Sequence, residues 1–89
     1  MKIQLRLLLE QAATQSGVPQ DVIIRFVSES WIIPADPQHQ AFDEEDIARI
    51  RLIHDLIHNM GVNDEAVPVI LHLVDQLNQL HLKIRELDR

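Results

Sequence analysis

Apolar residues follow two different spacings at the start of the chain. Ile3, Leu5 and Leu7 alternate with polar residues, a period of two that predicts a half-buried strand. From Leu8 the apolar spacing becomes helical, and Gly17 can supply the left-handed residue that ends this first helix. The pattern therefore predicts a strand that leads directly into a helix.

A second helix is predicted a few residues later. Pro19 suits the first turn of a helix, and the carboxylate of Asp21 lies near its positive end. The apolar face of this helix consists of Val22, Ile23, Phe26 and Val27. Two helices joined by a short turn that contains glycine predict a helix-turn-helix.

The next segment, WIIPADPQHQAF, contains two prolines and few strand-forming residues at its centre. We interpret it as a strand at 31–33, a loop at 34–38 and a short return strand that ends at Phe42. These elements would form a small β wing. Trp31, at the end of the second helix, fits either core packing or contact with a partner protein.

The stretch FDEEDIARIRLI combines four consecutive acids with helical spacing. Asp43 is the expected N-cap and Asp46 approximates the second half of a capping box, while Glu44 and Glu45 favour the positive end of the helix. The apolar stripe of this helix is Ile47, Ile50, Ile53, Leu56, Ile57 and Met60, and Gly61 is expected to end it. Capping explains the four acids locally, but a binding surface for a partner remains an alternative.

The last helix carries a heptad repeat. Asn63 or Asp64 can cap it, and Pro68 is tolerated only in its first turn. Its apolar positions alternate at spacings of three and four: Ile70, Leu73, Leu77, Leu80, Ile84 and Leu87. A helix that reaches residue 89 would be roughly 35 Å long, so we expect this stripe to form a dimer seam, although it would also fit a core-facing helix. We accordingly divide the chain into a winged helix-turn-helix at 1–65 and a dimerisation helix at 66–89.

Negative charge is concentrated in the middle of the chain. The net charge is -6, and residues 43–65 hold seven acids and two bases. This field would repel phosphates, which disfavours nucleic acid as a direct partner. The absence of cysteine excludes a disulfide framework, and the short apolar run near the N-terminus fits neither a signal peptide nor a membrane span. We therefore expect a cytoplasmic protein.

Catalytic and metal-binding motifs are weak. HDLIH at 54–58 places two histidines on one helix face, but Asp replaces the Glu of the zincin motif and no third ligand is evident. We expect ordinary surface or boundary histidines rather than a metal site. The chain has no glycine-rich phosphate loop and no nucleophile elbow, so neither enzymatic activity nor a cofactor is expected.

The order of elements resembles the MerR regulator fold. IRFVSESWIIP at 24–34 and FDEEDIARIRLIHDLIHNMG at 42–61 match the segments on either side of the MerR wing. The resemblance implies a mainly α, winged helix-turn-helix fold with a small β wing and a long C-terminal helix. MerR proteins hold phosphates with arginines in the wing and second helix, whereas PADPQHQA has no base and the second helix has only Arg25.

Within that fold, the chain resembles the CbpM family of chaperone modulators from about residue 8 to 87. The similarity lies in LLLEQAATQSGVPQDVI, AFDEEDIARI and the Leu-rich last helix, which includes the stretch from Asp75 to Leu80. Where the family can have a tryptophan before the last helix, this chain has Asp64. The resemblance implies a protein that binds the J-domain of a DnaJ-like co-chaperone, CbpA, and inhibits its co-chaperone and DNA-binding activities.

Six carboxylates are the expected contacts with the basic second helix of a J-domain: Asp21, Glu29, Asp43, Glu44, Glu45 and Asp55. Two other functions remain open. A MerR-type DNA-binding transcription regulator is the main alternative, and a dimerisation module with no further ligand is the other.

Overall fold

Four α-helices make up most of residues 7–88, the part of the chain that this computed structural model describes. They are α1 (Leu9–Ser16), α2 (Gln20–Ser28), α3 (Glu44–His54) and α4 (Val67–Leu87). A π-helical turn (Asp55–Asn59) extends α3, and a 3₁₀ turn (Asp64–Ala66) precedes α4. The protein is therefore mainly α, as predicted.

The helix-turn-helix consists of α1 and α2. Gly17 has a φ of 74° and donates its N–H to the Ala13 carbonyl at 2.9 Å, which ends α1 where the sequence predicted. Pro19 then precedes α2, and the side chains of Ile23 and Phe26 are fully buried against Ala12 and the rest of the core. The predicted pair of helices is confirmed.

The predicted β wing is not confirmed. Between residues 31 and 42 the structure contains isolated bridges, in which Asp36 pairs with Ala41 and Phe42 pairs with Leu7. The expected strand at 31–33 does not form, because the N–H groups of Trp31 and Ile32 donate back to the Phe26 carbonyl at 3.0 and 3.4 Å. These bonds wrap the chain against the end of α2. Apart from Leu7, the predicted N-terminal strand lies outside the described residues.

The stripe of α3 forms the centre of the core. Its first four members, Ile47, Ile50, Ile53 and Leu56, are buried. Met60 was predicted to continue the stripe but is 70% exposed. The π-helical turn explains this difference, because the Met60 N–H donates to the Asp55 carbonyl five residues back and rotates later residues away from the core. Gly61, with a φ of 68°, ends the segment as predicted.

Helix α4 starts in the core and then leaves it. The Asn63 side chain accepts the Ala66 N–H at 3.0 Å and so caps the 3₁₀ turn rather than α4, whose N-cap is Ala66. Pro68 lies in the first turn of α4, as predicted. Val67 and Leu71 are buried, whereas every residue from 76 to 88 is exposed. The radius of gyration is 14.3 Å, compared with about 12 Å for a compact chain of this length. The division of the chain at residue 65 stays a prediction.

Candidate functional site

The six carboxylates predicted to contact a partner lie at the ends of helical segments. Asp21 is in the first turn of α2 and Glu29 directly follows α2, Asp43, Glu44 and Glu45 begin α3, and Asp55 begins the π-helical turn. At 1.5 Å per residue, Asp21 and Glu29 are about 12 Å apart along α2. Within residues 7–88, no three carboxylate or imidazole groups lie close enough together to hold a metal ion. The acids therefore form a distributed negative surface.

Two of these carboxylates are engaged inside the protein. The Asp43 side chain accepts the Asp46 N–H at 2.9 Å, and the Asp46 side chain accepts the Asp43 N–H at 3.1 Å, which completes the predicted capping box. The Asp55 side chain accepts a hydrogen bond from the Asn59 amide at 2.7 Å. Both acids therefore have a structural role in or beside α3.

Four of the carboxylates remain available to a partner. Asp21, Glu29, Glu44 and Glu45 are all exposed. None of them forms a side-chain hydrogen bond or an ion pair with another described residue. These four side chains are hydrated charges that could bind lysine or arginine on another protein.

Unlike these four carboxylates, the positive side chains of the helix-turn-helix body, residues 7–66, are bonded within the protein. Its lysine and arginine content is Arg25, Arg49 and Arg51. Arg25 bonds to Asp64 and lies 5.5 Å from the centre of the Trp31 ring, while Arg51 donates to the Gln15 carbonyl. Each guanidinium therefore connects separate parts of the fold, and each has a bonding partner within the protein.

Arg49 makes the most extensive of these contacts. Its guanidinium donates to both carboxylate oxygens of Asp75, at 2.9 and 3.3 Å, and its Nε donates to the Trp31 carbonyl at 3.1 Å. This hydrogen-bonded ion pair lowers the pKa of the Asp75 carboxyl below its usual value of 3.8. Arg49 thus connects α3 to α4. This pair was not predicted from the sequence, because its members are 26 residues apart and share no local pattern.

Asp46 is a structural carboxylate rather than a binding one. Burial raises its pKa above the usual 3.8, although the N–H groups of Asp43 and Ala35 donate to it and favour the charged form. The bond from Ala35, at 2.9 Å, attaches the loop after α2 to the start of α3. The capping pattern predicted the first bond, whereas the second depends on the path of the loop.

A groove lies between α3, the segment after α2 and the distal part of α4. It encloses about 800 Å³. Its apolar lining includes Trp31, Ile33, Leu52, Val74 and Leu82, and its polar lining includes Glu45, His81 and Arg85. Trp31 itself is 6% exposed and its ring lies 5.9 Å from the Phe26 ring, so the structure favours core packing over partner contact, the two alternatives left open by the sequence.

The predicted dimer seam is mostly exposed. Ile70 is half-buried, and the other seam residues, Leu73, Leu77, Leu80, Ile84 and Leu87, are between 48% and 83% exposed. At 3.6 residues per turn, the middle of the seam lies roughly 140° around the helix from Val67 and Leu71. The seam therefore faces away from the core that the start of α4 helps to form.

The histidines of HDLIH form a pair, and no third His, Cys, Asp or Glu among residues 7–88 is placed to bind a metal ion with them. The rings of His54 and His58 lie 4.4 Å apart at a tilt of 32°. Two imidazoles are fewer than the three or four protein ligands that zinc takes. In the described part of the chain, no helix has the length and apolarity that crossing a bilayer requires.

Comparison with known proteins identifies the family. The model of the family described as "MerR HTH family regulatory protein" matches residues 7–89. None of the curated proteins compared matches the sequence. The chain belongs to the MerR helix-turn-helix family.

Proposed function

We propose that this member of the MerR family is a chaperone modulator. It binds the J-domain of a CbpA-like co-chaperone and inhibits both the co-chaperone activity and the DNA binding of that protein. It does so without enzymatic activity or a cofactor. The best support for this proposal is that the basic and the acidic side chains of the body differ in their contacts. The arginines of the body are bonded internally, and four of the six predicted contact carboxylates are exposed without partners.

The mechanism is competition for a basic surface. By the resemblance to CbpM, the second helix of the J-domain carries lysines and arginines that an Hsp70 chaperone would otherwise contact. Exposed carboxylates on this chain would pair with those cations and cover the helix. Charge complementarity of this kind raises the association rate and selects the partner. Bound in this way, the J-domain can no longer engage Hsp70 or DNA.

We also propose that the protein acts as a homodimer. Full burial of a leucine or isoleucine side chain is worth about 1.5–3 kcal/mol, and the seam leaves five such side chains exposed. A second copy of α4 would cover them with the same heptad spacing. Because the seam and the acidic ends of α2 and α3 are separate surfaces, self-association leaves the carboxylates accessible.

Titration calorimetry tests the binding proposal. The probe is the purified J-domain of the CbpA-like co-chaperone from the same genome, titrated into the full chain at about 50 mM and about 300 mM salt. We expect a dissociation constant in the micromolar range or tighter at low salt, and a weaker complex at high salt. An absence of both heat and NMR chemical-shift changes at low salt would exclude this function.

The family assignment itself favours a second candidate, a DNA-binding transcription regulator. In that case α2 would enter the major groove. Its exposed side chains include Asp21 and Ile24, and its single base, Arg25, is bonded to Asp64. A gel-shift titration on the promoter of its own operon distinguishes the two candidates. Sequence-selective retention that weakens steeply with salt would support the regulator.

A further inference from the structure

The outer side of α2 differs from the other exposed helix surfaces of the body. Ile23 and Phe26 face the core, and the opposite side carries Asp21, Ile24 and Ser28. Ile24 is 54% exposed although it is a large aliphatic residue in the middle of a helix. A single apolar side chain between polar neighbours is suited to the centre of a small protein contact.

The orientation of Arg25 leaves this surface negative. Asp21 and Glu29 lie four residues before and after Arg25, which are the positions where a helix normally forms ion pairs. Arg25 instead bonds to Asp64, which is 39 residues away, and packs over Trp31. Consequently neither carboxylate has a cation from its own helix.

Glu29 has no local stabilising role. It directly follows the last residue of α2, where the partial negative charge of the helix dipole disfavours a carboxylate. The next residue, Ser30, has a φ of 63°, a left-handed conformation that is uncommon outside glycine. By contrast, Glu44 and Glu45 lie in the first turn of α3, where the dipole favours them. Folding of α2 therefore does not account for a carboxylate at residue 29.

We propose that the exposed side of α2, on which Ile24 and Glu29 flank Asp21 across about 140° of the helix circumference, is the surface that docks the basic helix of the J-domain. This inference rests on the proposed function and specifies its site. Asp21 and Glu29 are about 12 Å apart, or roughly two helical turns. The matching partner helix therefore carries two cations about two turns apart, and an aliphatic side chain beside the cation that pairs with Asp21 contacts Ile24.

Two charge reversals test this assignment. Glu29→Lys removes a proposed contact, whereas Glu86→Lys makes the same change in net charge at an exposed position near the end of α4, outside the predicted contacts, and serves as the control. Calorimetry with the J-domain should show that Glu29→Lys weakens binding at least about tenfold more than Glu86→Lys does. Thermal unfolding should show no loss of stability in Glu29→Lys, because lysine is favoured at the end of a helix. Weaker binding without weaker folding is a result that a purely structural role would not produce.

A third variant, Ile24→Ser, tests the apolar part of the contact. It should weaken J-domain binding at both low and high salt, since an apolar contact is not screened. If the wild-type chain does not bind the J-domain at all, the proposed function fails and this inference fails with it. If the wild type binds and Glu29→Lys and Ile24→Ser bind equally well, the function stands and only the assignment to α2 is wrong.

Discussion

The stripe of α3 and the seam of α4 have similar spacing but different surroundings. Ile47, Ile50 and Ile53 recur every three residues and are covered by the helix-turn-helix body. Leu73, Leu77 and Leu80 recur every three or four residues, and each is more than half exposed. The two helices therefore differ less in their apolar pattern than in what packs against it.

This difference separates two sources of stability. Burial of the α3 stripe contributes to folding of the single chain, because its partners are α1, α2 and the start of α4. Exposed leucines at helical spacing contribute to folding only if another surface covers them. The body is thus expected to fold without the seam, and the seam to act through association.

The largest expected effect is on the seam. Leu77→Glu combined with Leu80→Glu should convert the proposed dimer into a monomer, since four leucines per dimer would no longer be buried. At about 1.5 kcal/mol or more for each leucine, the loss is about 6 kcal/mol, and the dissociation constant rises by a factor of about ten thousand or more. Sedimentation velocity over a range of concentrations measures this change.

The matched control is a change on the other side of the same helix segment. Gln79→Glu places a carboxylate at an exposed position outside the seam and should leave the sedimentation coefficient unchanged. Circular dichroism should show that the double variant keeps its helices. A wild-type chain that sediments as a monomer at all concentrations would show that the seam has another role.

In the body, Ile50→Ala should destabilise the folded chain by about 2–5 kcal/mol, because it leaves a cavity at a fully buried position. Leu80→Ala, the same kind of truncation on the seam, should leave unfolding of the Leu77→Glu single variant nearly unchanged at concentrations where sedimentation shows that this background is monomeric. Urea unfolding monitored by the fluorescence of Trp31 measures both. Equal losses for the two truncations would mean that the seam is part of the core.

Much of the fold was predictable because its signals are local. Gly17, Pro19 and the Asp43 capping box each fix a helix boundary through the conformation or hydrogen bonds of neighbouring residues. The wing was not predictable in the same way. Trp31 and Ile32 could either pair with another strand or bond to the Phe26 carbonyl, and tertiary packing decides between these partners. The π-helical turn that moves Met60 out of the stripe likewise depends on tertiary packing.

For the candidate site, the exposed carboxylates could be predicted from the sequence, but the ion pairs between charged side chains could not. Asp21 and Glu29 could each have paired with Arg25 on the same helix. The outcome was decided by Asp64, which the fold brings close to α2. Likewise, Arg49 and Asp75 meet only because α4 packs near α3. Ion pairs between distant segments depend on tertiary structure, and a single sequence gives no signal for them.

Removal of the capping box on α3 should have a smaller effect than the core truncation. Asp43→Ala deletes the acceptor for the Asp46 N–H and should destabilise the monomer by about 1 kcal/mol. Asp43→Asn keeps an oxygen acceptor and should recover most of that loss. Urea unfolding of both variants in the monomeric background measures the difference. If alanine and asparagine behave alike, the side-chain cap contributes little to α3.

The smallest expected effect is loss of the ion pair between Arg49 and Asp75, which connects the body to α4. The pH dependence of this effect distinguishes it from other small losses of stability. Because the folded-state pKa of Asp75 lies below 3.8, its stabilising contribution is present at neutral pH and is lost as the pH falls through that lower pKa. Asp75 is 47% exposed, so solvent screening limits the contribution to below about 1 kcal/mol. Asp75→Asn should therefore destabilise the monomeric background at pH 7, and its effect should shrink as the pH falls below 3.8.

Asp46→Asn provides a control of opposite sign, since burial raises the pKa of Asp46. The charged form of Asp46 is disfavoured in the folded state, so wild-type stability from this group falls as the pH rises through the range above 3.8. Relative to wild type, Asp46→Asn should thus gain stability between low and neutral pH while Asp75→Asn loses it. Parallel trends in the two variants would mean that Arg49 does not couple α4 to the body through Asp75.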